Sequence, residues 1–173
     1  MLLSNFDPCH LASIPPHRTV VSFAHGADIS NRVALFKFLL SSGESEILFL
    51  PMNIAFSVRN RLVAFCRRTG RPGTVPRADD TGPDADHVHA FHDNMPSVQP
   101  DDFRSNGNFV LGSEAYSYDD RLYLVWHPAR AGCVVHRLAW PIVPFLLAVV
   151  SEFERDGDLV NNEALRPPST RIN

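Results

Sequence analysis

The sequence predicts an α+β (or mixed α/β) fold: one sheet of about five strands packed by about three helices. Three observations carry this. Phe109–Tyr118, Leu122–His127 and Cys133–Leu138 are short runs rich in Val, Leu, Tyr, Phe and Trp, residues that suit a pleated, half-buried surface. An amphipathic stretch, Pro141–Arg155, follows them directly. A strand and helix alternation precedes them, so the predicted order is β-α-β-α, a long loop, then β-β-β-α.

Met1–Arg18 holds Pro8, Pro15 and Pro16 and reads as irregular. Thr19–Ala24 is a β-branched run and a predicted strand, and His25-Gly26-Ala27-Asp28 reads as a turn. Ser30 suits the N-cap of a helix running to about Leu40, stopped by Ser41-Ser42-Gly43. Val33, Leu35, Phe36, Phe38, Leu39 and Leu40 leave that segment apolar nearly all round, so burial on two sides is expected. Glu46–Leu50 is a short predicted strand. Pro51 opens a second helix, Asn53 to about Arg68, closed by Thr69-Gly70.

Arg71–Gly107 differs in kind. It holds five prolines and seven aspartates against three arginines. A structureless stretch this long is uncommon in a compact domain, so a mobile acidic loop is expected. Asp119-Asp120 leaves room only for a tight hairpin, and His127–Gly132 makes the next connection. In the last helix Ile142, Phe145, Leu146, Val149, Val150 and Phe153 share one face, at about 100° per residue. Asp156-Gly157 is its expected end. One domain over residues 1–160 and a loose tail over 161–173 complete the reading. A weak echo runs through it: Ile47–Pro51 and Val135–Pro141 each lead through a proline into an amphipathic helix. The two are possible halves of a pseudo-symmetric arrangement.

The chain has 173 residues, is 45% apolar and 20% charged, and carries a formal charge of −3. That is the composition of a globular chain large enough to bury a core. Nothing in the total charge points to nucleic acid or an anionic membrane. No apolar run is long enough to span a bilayer. Met1–Pro16 lacks a basic start and an apolar core, so no secretory signal is expected. Cys9, Cys66 and Cys133 are widely spaced and odd in number, which suits reduced thiols in a cytoplasm. Lys37 is the only lysine, a usage that suits a GC-rich bacterial genome.

Four groups of residues are candidates for chemistry. His87, His89 and His92, flanked by Asp84, Asp86 and Asp93, offer the imidazole and carboxylate mixture that zinc, nickel and copper accept. In an extended segment His87 and His89 would point to one side. The spacing resembles the His-x-His-x-Asp-His zinc motif of metallo-β-lactamase-like hydrolases. Phe91 stands where that family has its aspartate, and the surrounding strand order differs, so the family is not assigned. Arg59 falls inside the apolar arc of its helix, between Cys66 and Val63, so its guanidinium needs an internal partner or a ligand anion. His25 and Asp28, at the end of the first strand, are a candidate ligand-binding pair. Cys133 and His127 are a candidate nucleophile and base, with His136 on the opposite face beside Trp126.

No phosphate loop, dinucleotide fingerprint, Gly-x-Ser-x-Gly elbow or Cys-x-x-Cys pair is present. The expected function is binding, as an interaction or regulatory module that self-associates into a homo-oligomer or meets another protein. The motive is the apolar surface of Val33–Leu40 and Phe145–Phe153. The alternative is a metal-dependent hydrolase using His87, His89, His92 and Asp93. A weaker alternative is nucleic-acid binding through Arg59, Arg61, Arg67 and Arg68.

Overall fold

Two three-stranded meanders, each closed by a helix, build this chain. The computed structural model describes residues 4–5, 16–75, 85–130 and 132–164, with side chains over 16–75, 86–130 and 132–156. The first meander is β2 (Arg18–Asp28), β3 (Val33–Leu40) and β4 (Ser45–Pro51), preceded by the two-residue β1 (Ser4–Asn5) and followed by α1 (Met52–Thr69). The second is β5 (Asn108–Tyr118), β6 (Arg121–Pro128) and β7 (Val134–Leu138), followed by α3 (Ile142–Ala164). Between them lie α2 (Ala85–Asp93) and a 3-10 turn, Pro100–Arg104. The α+β class stands, and all of these strands belong to one mixed sheet.

The strand order is β1-β5-β4-β3-β2-β7-β6, and β6 returns to pair with β5. The six longer strands therefore form a closed ring, which removes most free sheet edges. Within each meander the pairs are antiparallel. The meanders meet at two short parallel seams. One pairs Leu48 with Asn108 and Phe49 with Phe109. The other pairs Arg18, Thr19 and Val20 with His136, Arg137 and Leu138. The echo read in the sequence has a structural counterpart here. Glu46 precedes Pro51 by the same interval as His136 precedes Pro141, and the two lie on equivalent strands.

Alternation puts Phe36, Phe38, Leu48, Leu50, Leu122, Leu124 and Trp126 on the inner face. Ile54, Val58, Leu62 and Phe65 of α1, with Ile142, Leu146, Val150 and Phe153 of α3, complete that core. Gly70 caps α1 at φ 66, and its N–H donates to Arg67 O. Asp119 and Asp120 both have positive φ, 49 and 54, the backbone a two-residue hairpin of this twist requires.

The structure corrects the sequence reading at four places. Val33–Leu40 is a strand, not a helix. An all-round apolar pattern suits a strand covered on both faces as well as a buried helix, and Leu35, Phe36 and Phe38 are all fully buried. The turn follows from this: β2 runs through His25–Asp28, and the chain reverses at 29–32. Within the expected loop, 85–93 is helical and 100–104 forms the 3-10 turn, while 76–84 lies outside the described residues. The last helix continues past Asp156-Gly157 to Ala164. The tail from residue 165 lies outside the described residues. Among those residues, no helix is long and apolar enough to cross a membrane.

The segment leading into β5 lies flat on the outer face of β4. A Cβ added at Gly107 would sit 2.5 Å from Phe49 Cε2 and 3.0 Å from Ile47 Cγ2. Gly107→Ala must push that ring aside, so a loss of about 1–3 kcal/mol is expected, as for overpacking elsewhere. A urea midpoint equal to wild type would show that the segment lifts off without cost.

Candidate functional site

The closed strand order brings together four polar side chains from β2, β4, β6 and β7. His136 on β7 is 0% exposed. Trp126 Nε1, a donor only, lies 3.0 Å from His136 Nδ1. Nδ1 is therefore the acceptor, and the ring proton sits on Nε2. Nε2 lies 2.8 Å from Glu46 Oε2 and donates to it. The other carboxylate oxygen, Oε1, is 3.2 Å from Arg18 Nη1. The relay runs Trp126, His136, Glu46, Arg18, from a fully buried indole to a guanidinium that is 57% exposed. Phe38 packs against the imidazole at 5.0 Å between ring centroids.

The electrostatics follow from that geometry. The hydrogen bond from His136 holds the Glu46 carboxyl below the usual carboxylate range, against burial, with help from Arg18. Both ring nitrogens of His136 are engaged within the chain. Its role is to fix Glu46, and Glu46 fixes Arg18.

Arg18 and Glu46 line a polar cleft of about 710 Å³ with Glu44, Ser45, Asn106 and Asn108. The Asn106 and Asn108 amides and the Ser45 hydroxyl make no side-chain bond to any described residue. Sequence reasoning found none of these residues. The sequence places His136 and Trp126 on one face, and in the structure they share it. The third member, Glu46, lies 90 residues from His136, and only the closed strand order joins them.

A folded carboxyl held below its unfolded value stabilises the fold above the unfolded pKa of about 4.5. That contribution is lost as pH falls through the folded value. Glu46→Gln should therefore be less stable than wild type near neutral pH, with a gap that shrinks as pH drops below about 4.5. Comparing the two proteins isolates Glu46 from Asp102 and Glu114, which are also held low. A denaturation gap unchanged down to about pH 3 would remove the charged pairing from this account.

The candidates read from the sequence fall elsewhere. His87, His89 and His92 stand exposed on α2, with Val88 and Phe91 as its buried face. A helix turns about 200° between His87 and His89, so they do not share a side. Among the described residues no group of three metal-binding side chains forms. Asp93 is exposed, and Asp84 lies outside the described residues.

Arg59 is paired internally, as expected: its Nε is 3.2 Å from Glu154 Oε2 on α3. Arg61 donates to Ser113 O and Arg68 to the Ser117 hydroxyl, both on β5. The arginine face of α1 is thus largely engaged within the chain. His25 and Asp28 do not converge. Asp28 accepts two hydrogen bonds from Asn31, which hold its carboxyl low. His25 is turned toward the Phe36 side of β2, where burial pushes its pKa down against the pull of Glu152.

His127 does have an orienting group. Its Nε2 donates to Glu114 Oε1 at 3.0 Å, and Tyr116 donates to the other oxygen of that carboxylate. Those bonds hold Glu114 low and push Tyr116 up to about 12. Cys133 would lie next to His127 in the β6–β7 register, beyond Trp126 and Val134. It is exposed and makes no described contact with that ring. Glu114 pairs with Val125 in the register set by the Asp119-Asp120 hairpin, diagonal to His127. Cys66 is buried, and burial raises its thiol pKa; Cys9 lies outside the described residues. The chain matches no protein-family model and no curated protein.

Proposed function

We propose that this chain works by binding, and that the cleft beside Arg18 and Glu46 is where it binds. One observation carries the reading: a buried relay of three side chains ends on an exposed guanidinium at that cleft. Burying polar groups costs desolvation that their pairing only partly returns. A relay so placed suits a site that needs a rigid charged group more than it suits stability. The amides of Asn106 and Asn108, which make no side-chain bond to any described residue, add hydrogen-bonding capacity to the cleft.

Self-association, as a regulatory or interaction module, rested on the apolar surface of Val33–Leu40 and Phe145–Phe153. That motive is weaker now. Val33–Leu40 is a strand with five residues buried, and Phe145 stacks on Phe91 at 4.4 Å. The hydrolase and nucleic-acid readings gain no observation in their favour.

The test is a thermal-shift panel of amino acids, polyamines, dicarboxylates, sugars and nucleotides on wild type, Asn108→Ala and Arg18→Gln. The reading expects at least one compound to raise the melting temperature of wild type and to lose that effect in Asn108→Ala. A rise that survives both substitutions puts the binding site elsewhere. No rise with any compound removes the small-ligand reading.

A further inference from the structure

The chemistry of the cleft narrows the ligand, given the binding reading above. We propose that it recognises a carboxylate group, with Arg18 as the residue that grips it.

Arg18 uses Nη1 to meet Glu46, and its remaining N–H groups have no described partner. A guanidinium anchored on one side presents its other N–H pair in a fixed fork, which matches the two oxygens of a carboxylate. Because Glu46 is held in turn by His136 and Trp126, the fork is aimed before any ligand arrives. Less side-chain freedom is then lost on binding. Asn106 and Asn108 line the same cleft, and their amides, unpaired among the described residues, offer N–H groups to an anion's oxygens.

Charge selects the kind of anion. Among the described residues Arg18 is the one cation lining the cleft, and Glu44 and Glu46 line it too. A dianionic phosphate would meet two carboxylates with one guanidinium to offset them. A planar monoanion meets those carboxylates with half the charge, and its two oxygens match the single fork. Two sources carry the group: a small carboxylic acid, or the C-terminal carboxylate of a peptide. The recognition chemistry is shared.

The experiment uses the full chain and three probes: N-acetylglycylglycine, its C-terminal amide, and propionate. Binding is read by NMR at the side-chain amides of Asn106 and Asn108 and at Arg18 Nε–H. The acid dipeptide should shift these signals saturably at millimolar concentration, and the amide should not. Propionate binding as tightly as the dipeptide assigns the source to small acids; tighter dipeptide binding assigns it to a chain terminus. Arg18→Gln should weaken binding about tenfold or more, the equivalent of about 1.4 kcal/mol. Arg18→Lys keeps the charge without the fork and should fall between the two. Equal binding of acid and amide, or full affinity in Arg18→Gln, overturns the carboxylate assignment. In that case a panel compound that still needs Asn108 leaves the cleft reading intact. No shift at these signals with any probe also overturns the assignment, and the panel then decides the cleft reading separately.

Discussion

Replacing His136 with alanine is expected to cost about 3–5 kcal/mol, the range found when one member of a buried polar pair is removed. Three losses add up. The Trp126 indole N–H, on a fully buried side chain, loses its acceptor, and an orphaned buried donor costs about 1–3 kcal/mol. Glu46, with a side chain 12% exposed, loses the donor that most lowers its pKa. A cavity opens beside Phe38 and Leu124, whose partners in the core stay in place. Glu46→Gln should cost less, because the amide oxygen still accepts from Nε2. His136→Leu combined with Glu46→Leu should recover part of the loss, since apolar isosteres often match a buried pair. Urea denaturation of the four proteins decides the matter. If His136→Ala loses under about 1 kcal/mol, the relay is neither rigid nor dry, and its role in aiming Arg18 goes with it.

Much of the fold was legible because local pattern and final environment agreed. Phe109–Tyr118, Leu122–His127 and Cys133–Leu138 became β5, β6 and β7 nearly residue for residue, with a hairpin at Asp119-Asp120. Both proline-started helices formed, and the repeated strand, proline and helix order marked the two halves of the ring. Val33–Leu40 failed for a physical reason. A strand covered on one face by the core and on the other by the 95–107 segment has no period-2 signal left to read. Lys37, which reaches Ser97 O and Asp102 across that cover, was the one polar residue that broke the run.

The site was illegible for a different reason. Glu46, Arg18 and His136 sit on β4, β2 and β7; β2 meets β7 in a parallel seam and β4 reaches β2 across β3, and no local spacing encodes that order. With Val33–Leu40 read as a helix the closed strand order cannot be drawn, and Glu46 is an unremarkable strand residue. Arg59 was the opposite case. Its place in the apolar arc of α1 required a partner, and Glu154 supplies it. Helical periodicity is local enough to be read in advance.

Phe91→Ala should cost about 3–5 kcal/mol, as for other buried phenylalanines. In the sequence, Phe91 is the residue that breaks a zinc-motif spacing. In the structure it is the anchor of α2. It is 3% exposed, its ring stacks on Phe145 at 4.4 Å, and it meets Phe23 edge-on at 5.3 Å. Its backbone carbonyl also accepts from the buried Ser22 hydroxyl at 2.8 Å. A nine-residue helix is too short to hold itself in water, so these contacts decide whether α2 exists. Removing the ring should therefore do two things: lower global stability and expose the amides of 85–93 to exchange. Hydrogen exchange read beside urea denaturation separates the two. Fast exchange confined to α2, with global stability lowered by under about 1 kcal/mol, would make the helix a detachable flap and put Phe91 outside the core. Loss of both together makes α2 part of the wall that closes the ring above β2, with its three histidines facing solvent because Val88 and Phe91 must face in.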